Sequence, residues 1–97
     1  MVVPANVTSI GDAAFKDCSN LKCLVIKSNS ANSQANLVAG CGNLRVLNVN
    51  MAKDAYKSRA ATWWDGETNQ PNGLEVICTD GKTTVSNDGT AVEYQDQ

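Results

Sequence analysis

The sequence predicts an α/β fold: a short repeat solenoid with one strand per unit, followed by a capping helix and a terminal β-hairpin. Three observations predict it. The 97-residue chain matches itself best at an offset of 23, the kind of period that stacked repeats leave in a sequence. Residues 52–64 are rich in Ala and Lys and hold neither Gly nor Pro, which favours a helix. Two strand-like runs then flank Asp80-Gly81, a strong hairpin signal.

At the offset of 23, Cys18 meets Cys41 and Asn20-Leu21-Lys22 meets Asn43-Leu44-Arg45. The match continues from Leu24 to Leu47 and from Ile26 to Val49, while Phe15 is replaced by the apolar Val38. Both units therefore share the pattern C-x-N-L-[KR]-x-L-x-[IV]. The same register sets Val3 opposite Ile26, so Met1-Val2-Val3 reads as the end of a strand whose beginning is missing. Units of this size cannot bury an apolar face alone. Stacked side by side, they place equivalent residues about 4.8 Å apart and generate ladders of like side chains. The expected ladders are Cys18/Cys41, Asn20/Asn43, Leu21/Leu44 and Leu24/Leu47. Residues 1–50 are thus two repeats, the first truncated at its start, and residues 51–97 hold the helix and the strand/hairpin segment.

A period of this length lies in the range of leucine-rich repeats. More specifically, Val7-Thr8-Ser9-Ile10-Gly11-Asp12-Ala13-Ala14-Phe15-Lys16-Asp17-Cys18-Ser19-Asn20-Leu21 resembles the V-T-S-I-G-x-x-A-F-x-x-C-x-x-L signature of BspA-like leucine-rich repeats. Val3-Pro4 resembles that family's strand end, and Cys78-Thr79-Asp80-Gly81 resembles a segment that follows its last repeat. Ala52-Lys53-Asp54-Ala55-Tyr56-Lys57, with Trp63 downstream, resembles its closing helix. The second unit departs from the signature, with Ser33-Gln34 in place of Ile10-Gly11 and an almost wholly polar stretch over 29–36. The resemblance implies a bacterial surface or secreted protein, an extracellular or cell-surface location and a role in adhesion, although the chain carries no signal-peptide pattern.

The elements follow in order. In the first unit Ile10, Ala14 and Phe15 are spaced to face one side of a helical or 3₁₀ turn, with Ser9 or Asp12 as caps and Phe15 as a core wedge. Alternation along residues 23–26 sends Leu24 and Ile26 inward and leaves Cys23 and Val25 on the open face. The equivalent positions there are Val46 and Asn48. Along the helix, Ala52, Ala55, Tyr56 and Arg59, then Ala60 and Trp63, form a stripe that can lie across the end of the stack, and Asp65-Gly66 ends it. Residues 76–79 should pair with 82–85, a turn at Asn87-Asp88-Gly89 should return 91–94 as another strand, and 95–97 should fray. Two registers are open for the strand near Val76. An offset of 30 from the second unit buries Ile77 and Thr79, whereas a one-residue slip buries Val76 and Cys78. The second is favoured because Cys is usually buried and Thr79 lies beside a turn.

Composition narrows the function. The formal charge is −2 and the eight basic residues look scattered along the chain, so a nucleic-acid partner is not expected. No apolar run approaches the roughly 20 residues that span a bilayer. Histidine is absent, which removes the commonest general base and the commonest metal-binding imidazole. The four cysteines form no C-x-x-C pair, Asp80 and Asp88 lack calcium-loop spacing, and no Gly-rich loop matches a phosphate cradle. No enzyme activity, metal or cofactor is therefore expected. Cys18 and Cys41 are close enough in the ladder for a disulfide, but side chains in a stack run parallel, so two buried free thiols are the expectation.

The expected function is non-catalytic protein interaction. The partner-binding face carries Lys22, Cys23 and Val25 from one unit and Arg45, Val46 and Asn48 from the next. Trp63 belongs to the helical stripe and hence to the core. Trp64 lies off that stripe and is expected to be exposed, as a contact for a protein or a surface glycan. The alternative is structural, with the chain as the terminal cap of a longer solenoid and no ligand of its own. An exposed first strand also invites edge pairing into a homo-oligomer.

Overall fold

A computed structural model describes residues 1–7, 11–28 and 35–97. Among them are six strands and one α-helix: β1 (Val2–Val3), β2 (Cys23–Ile26), β3 (Val46–Asn48), α1 (Lys53–Trp63), β4 (Glu75–Cys78), β5 (Gly81–Asn87) and β6 (Val92–Asp96), with a 3₁₀ turn at Glu67–Asn69. The strands form one open sheet in the order of the sequence. Strands β1 to β4 run parallel, and β4, β5 and β6 are antiparallel. The fold is a mixed α/β structure whose sheet crosses the boundary between residues 50 and 51 without a break.

The register follows the repeat. Val3 pairs with Ile26, and Leu24 with Leu47, both at the offset of 23. Leu47 then pairs with Val76, an offset of 29. The match at 30 is therefore not the one adopted: Val76 and Cys78 are buried while Thr79 is exposed. The slip that buries a valine and a thiol outweighs the one that would bury a threonine hydroxyl.

Behind the sheet, the segments that return from one strand to the next bond to each other. The N–H groups of Ala13, Phe15 and Asp17 donate to the carbonyls of Ala35, Leu37 and Ala39 at 2.9, 3.0 and 2.7 Å. The backbone repeats its shape too, since positive φ recurs at Ala13 (+58°) and Asn36 (+55°), and at Asp17 (+60°) and Gly40 (+82°), again with the spacing of the repeat. This corrects the expected helical turn. Ala13 breaks it, Ala14 is exposed, Phe15 is half-buried against the core, and Asp12 accepts the N–H of Ala35 in the next unit instead of capping its own turn. Ser9 and Ile10 lie outside the described residues. A left-handed alanine costs roughly 1–2 kcal/mol, so Ala13→Gly is expected to stabilise the fold by about 1 kcal/mol in urea unfolding. A destabilised variant would contradict that backbone assignment. At Gly40 the backbones close up, and a Cβ there would lie 3.1 Å from the Cα of Asp17.

Helix α1 is the crossover from β3 to β4, and its C-terminus takes the place of a third return segment. The carbonyls of Thr62 and Trp63, which a helix end leaves without partners, accept the N–H groups of Asn36 and Val38 at 2.8 and 3.0 Å. Its N-terminus has no local side-chain cap, and the carboxylate of Asp80 accepts the N–H of Lys53 at 2.9 Å instead. The buried face is narrower than the predicted stripe, comprising Tyr56, Ala60 and Trp63, with Ala55 and Arg59 exposed. After Trp63 the chain turns at Asp65, in left-handed conformation, and Gly66.

The terminal strands differ from expectation in two details. The β4–β5 loop is Thr79-Asp80, and Gly81, at φ +134°, opens β5 opposite Cys78. Residues 95–97 do not fray: Gln95 and Asp96 pair with Thr84 and Thr83, and the N–H of Gln97 donates to Lys82 at 2.9 Å.

One core joins the sheet to α1, with Leu24, Leu44, Leu47, Leu74, Val76 and Val85 fully buried against Tyr56 and Trp63. A polar chain closes its far side. The Tyr56 hydroxyl accepts from Trp64 Nε1 (3.0 Å) and donates to Gln70 Oε1 (2.6 Å), and Gln70 Nε2 donates to the Tyr94 hydroxyl (3.0 Å). Tyr94 in turn donates to Glu67 at 3.2 Å. Burial pushes Tyr94 from its ordinary 10.0 up to about 12, raises Tyr56 for the same reason, and lifts the Cys78 thiol from 9.0 to about 11. The unfolded chain therefore releases these protons first. Stability is complete below the unfolded values and is expected to fall as pH rises from about 9 towards 12. Melting temperatures measured across that range would check it, and a flat profile would refute it.

Candidate interaction surface

The pleat sorts the side chains of the parallel strands into two faces. Leu24, Ile26, Leu47, Val76 and Cys78 point to the core. Cys23, Val25, Val46, Asn48, Glu75 and Ile77 point away from it. Pairing sets them in two rows across the sheet, Cys23/Val46/Glu75/Thr84 and Val2/Val25/Asn48/Ile77/Lys82. Cys23 is exposed, and Val25, Val46, Asn48 and Ile77 are half-buried. Lys22 and Arg45, both exposed, enter β2 and β3 side by side, with the N–H of Arg45 donating to the carbonyl of Lys22 at 2.8 Å. Of the residues named from the sequence, Cys23, Val25, Val46 and Asn48 thus lie side by side on the outward face, and Lys22 and Arg45 are neighbours just before the strands begin.

Trp64 does not belong to that patch. It is 1% exposed and donates its indole N–H to Tyr56, so its expected role as a surface contact is corrected. Its backbone N–H still donates to the carbonyl of Ala60, and it stands four residues after Ala60 and eight after Tyr56, so its ring falls on the same buried face of the helix. Trp63 is fully buried, edge-on to Tyr56 at 6.1 Å.

The sequence reading also missed part of the surface. At the carboxyl ends of β2, β3 and β4 lies a cleft of about 250 Å³ lined by Ile26, Lys27, Asn48, Val49, Asn50, Cys78 and Thr79. Lys27, Asn50 and Thr79 are equivalent positions in the registers of 23 and 29, one or two residues beyond the strand ends. The Asn50 amide donates to the carbonyl of Lys27 at 3.0 Å and ties two of these ends together.

Charge was missed as well. Residues 18–53 contain Lys22, Lys27, Arg45 and Lys53 and no acidic residue, so all ten carboxylates lie outside that stretch. Read along the chain the cations look scattered, but the stack sets Arg45 beside Lys22 at the start of β2 and β3, with Lys27 at the other end of β2. The one acid on the outward faces of β2 to β4 is Glu75, held by Lys82 at 3.3 Å. Among the described residues Lys22, Lys27 and Arg45 take part in no ion pair, and the Arg45 guanidinium contacts only the carbonyls of Leu44 and Gly42, at 3.2 and 3.5 Å.

All four cysteines are free thiols. Cys41 is buried, with its sulfur 3.0 Å from the carbonyl of Phe15 and its thiol raised by burial, whereas Cys18 is only half-buried. Among the described residues no group of three or more potential ligands could hold a metal ion. No helix among them is long and apolar enough to cross a membrane. In comparison with known proteins, the chain matches no family model, no curated protein and no solved structure.

Proposed function

We propose that this protein is a non-catalytic, adhesion-type interaction module of a bacterial surface or secreted protein, built as a short leucine-rich-repeat solenoid of the BspA-like kind. The observation that carries this reading is the outward row of Cys23, Val25, Val46 and Asn48, presented by strands held in the register of the sequence repeat, and we assign Lys22 and Arg45 beside it to the same surface. The recurrence of positive φ at the interval of that repeat supports the architecture, since stacked units share a backbone path. The partner is a protein or a surface glycan.

A displayed-peptide library panned on the wild-type protein tests this reading. Binders should lose about tenfold or more in affinity towards the double variant Arg45→Ala, Asn48→Ala, whose changed residues support no part of the core. Binders that hold both proteins equally would place recognition elsewhere.

One observation favours a second, structural reading as a terminal cap: α1 and the antiparallel β5 and β6 occupy the side of the stack where another parallel unit would add. At the opposite edge, β1 presents Met1 and Val2, 62% and 55% exposed, and this edge is the place for pairing with a second copy. Light scattering across a concentration series reads that pairing directly.

A further inference from the structure

We propose that two copies of this chain pair through β6, the sheet edge opposite β1, in an antiparallel contact with its two-fold axis at Tyr94. This contact is independent of the recognition face and of any pairing at β1. Three features of the strand lead to it.

The first is what β6 leaves unpaired. Strand β5 is its one neighbour in the sheet. The N–H of Gln97 donates to the carbonyl of Lys82, and the N–H of Asp88 donates to the carbonyl of Ala91, so the backbone groups of residues 91 and 97 turn towards β5. By alternation those of Glu93 and Gln95 do the same, and those of Val92, Tyr94 and Asp96 turn outward. Among the described residues nothing bonds to these outward N–H and C=O groups. Sheet edges are commonly protected by a short strand, a proline, a lysine or a bulge. Strand β6 has none of these: its five residues pair with β5 without interruption and include neither Pro nor Lys.

The second is that the edge is complementary to itself. With Tyr94 opposite Tyr94 of the second copy, Val92 falls opposite Asp96, and every outward N–H and C=O of the strand finds a partner. The contact is isologous and closes as a dimer. Glu93 then falls opposite Gln95 in the pairs that lie between the hydrogen-bonded ones, where side chains approach most closely. A carboxylate meets an amide donor there twice, once on each side of the axis. A register that set Glu93 opposite its own counterpart would oppose two carboxylates instead. The other carboxylate of the strand, Asp96, is already held by Lys57 at 3.0 Å.

The third is apolar surface. Val92 and Tyr94 pack on the margin of the core and are half-buried, so one copy leaves part of each open to water. A second copy continues the sheet and covers that margin.

Light scattering across a concentration series on the wild type, Gln95→Lys and Gln95→Glu tests the contact. Gln95 is exposed, so neither change disturbs the core. Gln95→Lys sets an ammonium opposite Glu93 on both sides of the axis and should lower the dimer Kd about fivefold, whereas Gln95→Glu opposes carboxylates at the same places and should raise it about fivefold. Added salt should narrow the difference. Asn20→Lys and Asn20→Glu alter the net charge equally at an exposed site in the first repeat, and should leave the Kd within about twofold. In the wild type, hydrogen exchange at the amides of Val92, Tyr94 and Asp96 should slow as concentration rises. A chain that stays monomeric, or Gln95 variants that shift in the opposite order, would overturn the proposal. So would a Kd that ignores both Gln95 changes, which places pairing elsewhere, as at β1, or one that the Asn20 pair moves as far.

Discussion

Trp63→Ala is expected to lower the folding free energy by about 4 kcal/mol, the range for truncating a fully buried tryptophan. Trp63 is 0% exposed, and its ring fills the space between α1 and the sheet beside Tyr56. It also sits on the turn whose carbonyl accepts the N–H of Val38, so a cavity there loosens the seat of the second return segment. A domain of this size holds about 5–15 kcal/mol in total, so the variant should be largely unfolded or close to it, with its urea midpoint lower by about 2 M. Trp63→Phe should be much milder. The indole N–H has no hydrogen-bond partner among the described residues, and replacing it removes a buried donor along with some volume. Equal loss in the two variants would refute this account of the site.

Tyr56→Phe is the second large effect, at about 3 kcal/mol, because one hydroxyl satisfies two other buried groups. Trp64 Nε1 and Gln70 Oε1 both depend on it, and both residues are at most 3% exposed. Removing the hydroxyl leaves a donor and an acceptor unpaired in the interior, each costing about 1–3 kcal/mol. Tyr94→Phe is the control. Its hydroxyl also joins two partners, Gln70 and Glu67, but it is half-buried and water can replace it. Urea unfolding of both variants should separate them by at least about 1 kcal/mol. Adding Trp64→Phe to Tyr56→Phe should cost less than the sum of the single changes, since it removes one of the stranded groups.

Sequence and structure agree best where a pattern repeats. Leu24 and Leu47 are identical residues in equivalent surroundings, so the register of 23 could be read from their alignment alone. The third register could not, because residues 50–73 have no counterpart in the earlier units and only the contrast between Cys78 and Thr79 decided between 29 and 30. The return segments were harder. Gly40 signals a left-handed position, but its counterpart Asp17 and the pair Ala13 and Asn36 include an alanine that gives no such signal. Trp64 was misplaced because the stripe was closed at Trp63, although the spacing Tyr56, Ala60, Trp64 also falls on one helical face. The pairing of cations was hidden for a different reason: Lys22 belongs to one unit and Arg45 to the next, and they become neighbours only through stacking. The absence of any carboxylate from 18 to 53 was the available signal.

The way α1 is fastened has a consequence for cooperativity. An isolated helix of 11 residues is too short to hold together in water, and this one lacks a local cap and a cation in its last turn. Its first amide is held by Asp80, well downstream at the β4–β5 turn, and its last carbonyls are held by Asn36 and Val38, well upstream in the second unit. Neither end can fray without breaking a bond to a distant segment, one on each side of it in the chain. Local opening at the helix therefore coincides with opening of the repeats before it and the hairpin after it, and residues that read as two segments unfold as one thermodynamic unit.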